Sequence, residues 1–389
     1  MSSETFKENQ TVEPLDIVPV AGRRLLQRFI DLPWSLYARD PCWVPPLRAE
    51  RKWHLSSKNP YFAHADFQAW IACRGERTVG RISAQVDQLH LQRYHDATGF
   101  FGLLESEDNA ETFHALFKVA EEWLRHKGMQ RIRGPFSLSI NDECGLLIEG
   151  FDSPPPIMLA HALPYYGLRV EEQGFVKEQD LLAYRTHPEV SPPRHLEALA
   201  KRAAGRVKIR TMRRDRFNEE LDIIRDIFED AWSENWGFIP FTSAEFSELG
   251  KNLKFLVDAE SVRIAEVDGD PAGMIVMFPN INEMIKDLNG HLLPFGWLKL
   301  LWRLKVVGAK SARIPLMGVR RRYQGTRLGA TLALMLISPL HERARKLGIK
   351  EVDMSWILEQ NQGMRKIIDS VGSVAYKRYR IYQKGLSEE

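Results

Sequence analysis

The sequence is short of cysteine, of long apolar runs and, over one stretch, of acid. Its three cysteines, Cys42, Cys73 and Cys144, are odd in number, far apart and without C-x-x-C spacing. That excludes a disulfide framework and a clustered zinc site, and no metal is expected. No apolar run reaches the roughly 20 residues that a membrane-spanning helix needs. Met1 to Gln10 is polar and mixed in charge, so residues 1–10 read as a disordered tail and not as a secretory leader; a reducing cytoplasm fits. Between Leu288 and His341 there is no Asp or Glu, while Lys299, Arg303, Lys305, Lys310, Arg313, Arg320, Arg321, Arg322 and Arg327 all fall inside. Such a window favours an anionic partner. Nucleic acid is not expected, because no helix-turn-helix, zinc-finger or RNA-recognition pattern accompanies the charge.

What is present is a repeat. At 389 residues the chain is long for a single core. Leu15 to Val20 reads as a strand, Arg23 to Tyr37 as an amphipathic helix, and the Pro-rich Trp43 to Pro60 as irregular. Phe67 to Cys73 and Val79 to Val86 form a hairpin. Phe100 to Glu105 is a strand, Asn109 caps a helix through Lys127, and Gln130 to Phe136 is the next strand. The second half repeats this order: a hairpin around Asp268-Gly269, the strand Ile314 to Val319, the helix Thr326 to Lys346 and the strand Lys350 to Trp356. Each half closes with a short helix ended by Gly174 or Gly372, then a final strand, Lys177 to Tyr184 or Ala375 to Tyr382. The sequence therefore divides into 11–190 and 191–389, with the junction in the Pro-rich Thr186 to Arg194.

The halves differ by insertions. Gly75 and Gly128 lie 53 positions apart and Gly269 and Gly348 lie 79 apart, so the second half carries about 26 extra residues, roughly 281–311. The first half carries about 22 extra, roughly Ser137 to His161. The second insert runs through Leu292-Leu293-Pro294-Phe295-Gly296-Trp297-Leu298-Lys299-Leu300-Leu301-Trp302-Arg303. As a helix it sets Lys299 and Arg303 on one stripe and Trp297, Leu298, Leu301 and Trp302 around the rest. That pattern suits an interfacial helix or the lid of an acyl-chain tunnel, and equally a core helix between the halves.

The stretch Gly318 to Gly329, GVRRRYQGTRLG, joins a strand to a long helix. Such a turn leaves the first helical N–H groups unpaired at the positive end of the helix dipole. It reads as a phosphate cradle for a nucleotide-like group, or else as a basic surface turn before a core helix.

Strand, Gln324-Gly325-Thr326-Arg327-Leu328-Gly329 turn, helix, strand, then Asn361 and a short helix together resemble the GNAT acyltransferase superfamily. Gln324 and Gly329 match the superfamily's turn, and Arg327 stands where its first glycine is expected. Asn141 to Phe151, Pro164 to Tyr166, Tyr323 to Gly329, Ser355 to Asn361 and Tyr376 to Tyr382 are similar to the bacterial ceramide synthase-like branch. The resemblance implies an α+β fold of two tandem GNAT-like domains, each a mixed, mostly antiparallel sheet flanked by helices. It implies that Met317, Gly318, Val319, Tyr323, Gln324, Gly325, Thr326, Arg327, Leu328, Gly329 and Asn361 hold acyl-CoA as co-substrate. The first half has the acidic Glu105 to Asn109 at its corresponding turn and is expected to bind none. The implied reaction is transfer of a fatty acyl group from acyl-CoA to the amine of a sphingoid base or another lipid amine, by direct attack on the thioester. The implied location is cytoplasmic, peripheral on the inner face of the inner membrane.

That chemistry needs a base, oxyanion donors and an acid for the thiolate. Backbone N–H groups of Met317 to Val319 are the expected oxyanion donors. Glu359 and Glu143, or its neighbour Asp142, are candidate bases. Ile368 occupies the position of the superfamily's usual tyrosine, so Tyr382, Tyr379, Tyr376 or Tyr323 is the candidate acid. Two other readings stand: a GNAT enzyme acetylating a small polar amine, and a degenerate, non-catalytic binding module.

Overall fold

The computed structural model describes residues 13–189, 205–253 and 258–386. The tail 1–10 and most of the expected junction lie outside them. Thirteen strands form one sheet, in the order β1-β2-β3-β4-β5-β13-β7-β12-β11-β10-β9-β8, with β6 set against β13. In the first half these are β1 Leu15–Pro19, β2 Ala65–Arg74, β3 Arg77–Asp87, β4 Thr98–Ser106, β5 Arg131–Gly134, β6 Leu146–Glu149 and β7 Val176–Thr186. In the second they are β8 Val207–Thr211, β9 Val262–Val267, β10 Asp270–Pro279, β11 Ser311–Val319, β12 Glu351–Leu358 and β13 Val374–Gly385. Among the described residues only β4–β5 and β11–β12 pair in parallel, and every other pairing is antiparallel. The fold is α+β, a tandem of two mixed, mostly antiparallel units.

The helices of the first half are α1 Gly22–Leu36, α2 Arg48–His54, α3 Gln88–Tyr94, α4 Ala110–His126 and α5 Tyr166–Glu171. Those of the second are α6 Phe217–Trp232, α7 Ser243–Leu253, α8 Asn282–Ile285, α9 Gly296–Trp302, α10 Arg327–Lys346 and α11 Gln362–Ser370. Several begin at side-chain caps, the expected Asn109 among them. Asn109 accepts from Thr112 N at 3.1 Å, Thr326 from Gly329 N at 3.0 Å and Asn361 from Met364 N at 3.1 Å, each satisfying an N–H that the helix leaves unpaired. The stretch Trp43 to Pro60 is not wholly irregular as expected: α2 forms within it, entered from the extended Leu47 and carried by Arg48 to His54, once Pro45 and Pro46 are past.

The two halves share strands. β13, the end of the chain, lies between β5 and β7, while β7, the end of the first half, lies between β13 and β12. Each final strand thus borders a strand of the other half, and the halves form one continuous sheet. α4 and α5 cover one core built on Phe101, Phe113, Phe117 and Tyr166. In the second half α10 packs Leu332, Leu336 and Ile337 against one face, and α6 packs Ile224, Ile227 and Phe228 against the other.

Candidate active site

β11 and β12 pair from Ser311↔Glu351 to Ile314↔Met354 and then part. The cause is in the sequence: the next residue of β11 is Pro315, which has no N–H to continue the ladder. β11 runs on against β10 alone, ending at Gly273↔Val319, while the end of β12 pairs with β7 at Ile357↔Leu182. Between the diverging strands lies a cavity of about 60 Å³ walled by Pro315 and Met317 on one side and Ser355 and Trp356 on the other, with Trp232 and Asn361 at its ends. Trp232 Nε1 donates to Met317 O at 3.1 Å, and its ring lies 6.2 Å from that of Trp356. Beyond Ile314 the edge of Met317 to Val319 that faces away from β10 carries no strand.

β11 leads into the glycine turn. Thr326 Oγ1 both donates to Tyr323 O and accepts from Gly329 N, closing the turn on the start of α10. A Cβ on Gly329 would lie 2.1 Å from Tyr323 O, so this glycine is a steric requirement, and Gly325 takes φ +70°. Arg327 is not among the residues with positive φ, so a side chain there strains nothing. The N–H groups of Gly325, Arg327 and Leu328 meet no protein acceptor among the described residues. Arg320 pairs with Asp226, Arg321 with Glu234 and, at 3.9 Å, Arg322 with Asp270. Three of the four arginines are thereby engaged, and Gln324 is spent on Ala231 O and Val319 O.

In the first half the strand before the corresponding turn, β4, carries a buried carboxyl near its end. Glu105 accepts from Tyr37 OH and Tyr166 OH, both at 2.7 Å, and stands 3.7 Å from Arg81. Burial pushes its carboxyl above the usual range.

The sequence candidates do not all meet at the cavity. Met317 and Asn361 line it. Glu359, at the end of β12, is bound to Lys177 Nζ at 2.7 Å and to Asp180 N at 3.3 Å. Tyr382 is buried, its hydroxyl 3.1 Å from Glu171, and does not line the cavity. Glu143 pairs with Arg51 at 3.6 Å and keeps 31% of its side chain exposed. Beside it, burial pushes Asp142 up to about 7 and the Cys144 thiol, which meets the Trp356 indole, up to about 12. Trp297, Leu298, Leu301 and Trp302 of the second insert are exposed, not packed between the halves.

Sequence reasoning named Tyr376 but missed the polar group that it joins behind the cavity. Arg313 donates to Ser355 O at 3.0 Å and to Ile157 O, at 2.5 Å, of the first-half insert. Asp353 stands 3.6 Å from Arg313 and accepts from Ser355 and, at 2.8 Å, from Tyr376 OH. The available signal was an Asp and a Ser alternating with apolar residues in Val352 to Leu358, where a central strand is expected to be apolar.

A scan against family models finds no match. The chain is 50% identical over 362 residues to Protein YghO of Escherichia coli K12, covering 92% of each. It is 46% identical over 381 residues to bacterial ceramide synthase of Caulobacter vibrioides, covering 97% of this chain and 99% of the relative. Among solved structures it is similar in fold to a tandem GNAT protein from the clavulanic acid biosynthesis pathway, with TM-score 0.58 and 15% identity over 97% of this chain and 100% of that one. A GCN5-related N-acetyltransferase from Sphaerobacter thermophilus gives TM-score 0.52 and 14% identity, covering 96% of both chains.

Proposed function

We propose that this chain, which belongs to the family of bacterial ceramide synthase and Protein YghO, is an acyl-CoA-dependent N-acyltransferase whose acceptor is the amine of a sphingoid base or a similar lipid amine. The observation that carries the reading is the parting of β11 and β12 beside a glycine turn with unclaimed N–H groups. A thin, apolar slot next to an anion cradle suits a pantetheine arm and its pyrophosphate. The second half takes the acyl-CoA in this reading. In the first half, the stretch from Glu105 to Asn109 that stands at the equivalent turn has no glycine and is acidic, which disfavours a pyrophosphate there.

The neutral amine attacks the thioester carbonyl carbon, the new C–N bond forms as the C–S bond breaks, and the thiolate takes up a proton. The strand-free edge of Met317 to Val319, whose carbonyls at Met317 and Val319 already accept from Trp232 and Gln324, offers N–H donors for the developing oxyanion. Of the candidate bases, Glu143 suits removal of the ammonium proton best. It is partly exposed, and its neighbour Cys144 lies against the cavity wall at Trp356. Glu359 would first have to leave Lys177. Tyr382 as acid would have to act from outside the cavity. A lipid acceptor is met at a membrane surface, so peripheral attachment to the inner face of the inner membrane belongs to the same reading.

The test is mass-spectrometric detection of amide formed from palmitoyl-CoA or acetyl-CoA and a panel of sphingoid bases and small polar amines. Amide from the long-chain donor and a sphingoid base is expected. Turnover confined to acetyl-CoA and small amines would shift the reading to a polar-amine acetyltransferase, and absence of any CoA binding would end it.

A further inference from the structure

The segment between β10 and β11 turns its apolar side chains to the solvent. Leu293 is 79% exposed, Phe295 72%, Val306 69% and Trp302 56%, and no residue of Gly296 to Val307 is buried. These are values for a surface built to be covered, since scattered apolar residues on a soluble protein do not gather in one continuous stretch.

The segment is also held rigidly. On its inner side Leu292 and Leu300 pack on Ile281, Ile285, Leu288 and Val44. Lys299 and Arg303, which the helical pattern set on one stripe, both pair with Asp287, and Arg303 also donates to Met284 O. The two cations thus staple the segment down and leave the outer face to Leu, Phe, Trp and Val. Trp297 Nε1 donates to Pro294 O at 3.1 Å, so this indole can enter an apolar medium without an unpaired N–H.

Around this face the charge is net positive. Lys305, Lys310 and Lys286 are exposed. Asp287 is paired with Lys299 and Arg303, while the exposed Glu283, hydrogen-bonded to Lys310 N and Ser311 Oγ, keeps its charge, so Lys286, Lys299, Arg303, Lys305 and Lys310 stand against these two carboxylates. We propose that Leu293 to Val307, rimmed by Lys305 and Lys310, docks this protein flat on a bilayer rich in anionic headgroups. The apolar face enters the headgroup boundary, and the rim lysines meet the negative surface potential. No described helix is long and apolar enough to cross a membrane, so the contact lies in the plane of the surface. A second copy fits less well, because patch against patch would bring the lysine rims of both copies together. A single acyl chain fits less well too, because it would leave most of so exposed a face in water.

The inference rests on the acyltransferase reading for its purpose but not for its evidence. Val307 is seven residues from Ile314 at the cavity wall, roughly 25 Å of chain at full extension. A docked protein would therefore hold its reaction slot close to where a lipid amine resides.

The experiment is co-sedimentation of the full chain with vesicles of phosphatidylcholine alone and of phosphatidylcholine with phosphatidylglycerol, at low and high salt. Wild type is expected to partition to the anionic vesicles at least tenfold better than to the neutral ones. Phe295→Ser with Trp302→Ser is expected to lose at least tenfold on anionic vesicles. Lys305→Glu with Lys310→Glu is expected to lose the preference for anionic lipid. All these side chains are exposed, so melting temperatures should match wild type and keep the comparison valid. Equal partition of wild type and the Phe295/Trp302 variant overturns the proposal. So does a wild-type dimer, without vesicle binding, that the same variant converts to monomer. Turnover of detergent-solubilised substrates is measured on the same chains. Patch-dependent vesicle binding with no turnover of any amine leaves the docking standing and removes the acyltransferase reading; turnover without vesicle binding does the reverse.

Discussion

Tyr376 on β13 donates a 2.8 Å hydrogen bond to Asp353 on β12, reaching past β7, which separates their strands in the sheet. The bond ties the chain's last strand to the strand that walls the cavity. Asp353 is 2% exposed and Arg313 4%, so the pair 3.6 Å apart is a buried charge pair completed by Ser355 and Tyr376. Removing one member of such a pair costs more than the pair contributes, because the other charge is left desolvated.

Asp353→Ala should therefore destabilise by about 3–5 kcal/mol, and Tyr376→Phe by about 1–3 kcal/mol through loss of one hydrogen bond to a buried charge. Chemical denaturation of both variants checks the order. Equal and negligible losses would mean that water reaches the pair.

Gly329 gives a sharper test of the turn. Since a Cβ would stand 2.1 Å from Tyr323 O, Gly329→Ala must push apart the two ends that Thr326 holds together. CoA affinity measured by calorimetry should fall by tenfold or more, with melting temperature lowered modestly. Gly363→Ala, whose Cβ would meet nothing nearer than Asn361 Oδ1 at 3.9 Å, serves as the control with little change.

His64 links the halves through titration. It lies 3.1 Å from Asp87 of β3 and 3.1 Å from Glu245 of α7, and the hydrogen bonds to these carboxylates, outweighing burial, raise it to about 9. A raised folded-state value means that the imidazolium's contribution is complete below the unfolded value near 6.5 and is lost as pH rises through about 9. Stability measured by denaturant titration should fall between those limits, and His64→Gln should flatten that fall. An unchanged slope in the variant would assign it to other groups.

Much of the fold was legible because the signals were local: alternating strands, glycine stops, and the cap Asn109. The exchange of β7 and β13 was not, because two final strands of similar pattern fit either half, and only long-range pairing chooses between them. At the site, the turn could be read from Gln324 to Gly329 because a glycine turn is contiguous. The parting of β11 from β12 was hidden in one residue, Pro315. Helical spacing set Lys299 and Arg303 on one stripe but could not show that Asp287, outside the helix, pairs with both.

Arg327 decides whether the turn's departure from the GNAT pattern is a loss or a substitution. The superfamily's glycine lets backbone approach phosphate closely. Here α10 begins at this residue without positive φ, so the backbone does not need glycine. Its guanidinium is exposed and forms no ion pair among the described residues, whereas Arg320, Arg321 and Arg322 each face a carboxylate. It is the turn's unspent positive charge, placed beside the unclaimed N–H groups of Gly325 and Leu328. Arg327→Gly should therefore weaken CoA binding by about tenfold, or about 1.4 kcal/mol, instead of restoring a better cradle. The loss should shrink at high salt, where exposed charges are screened. Arg322→Ala should lose less, since Asp270 already offsets that charge. If Arg327→Gly binds CoA more tightly than wild type at every salt concentration, the side chain obstructs the cradle and its charge contributes nothing to holding phosphate.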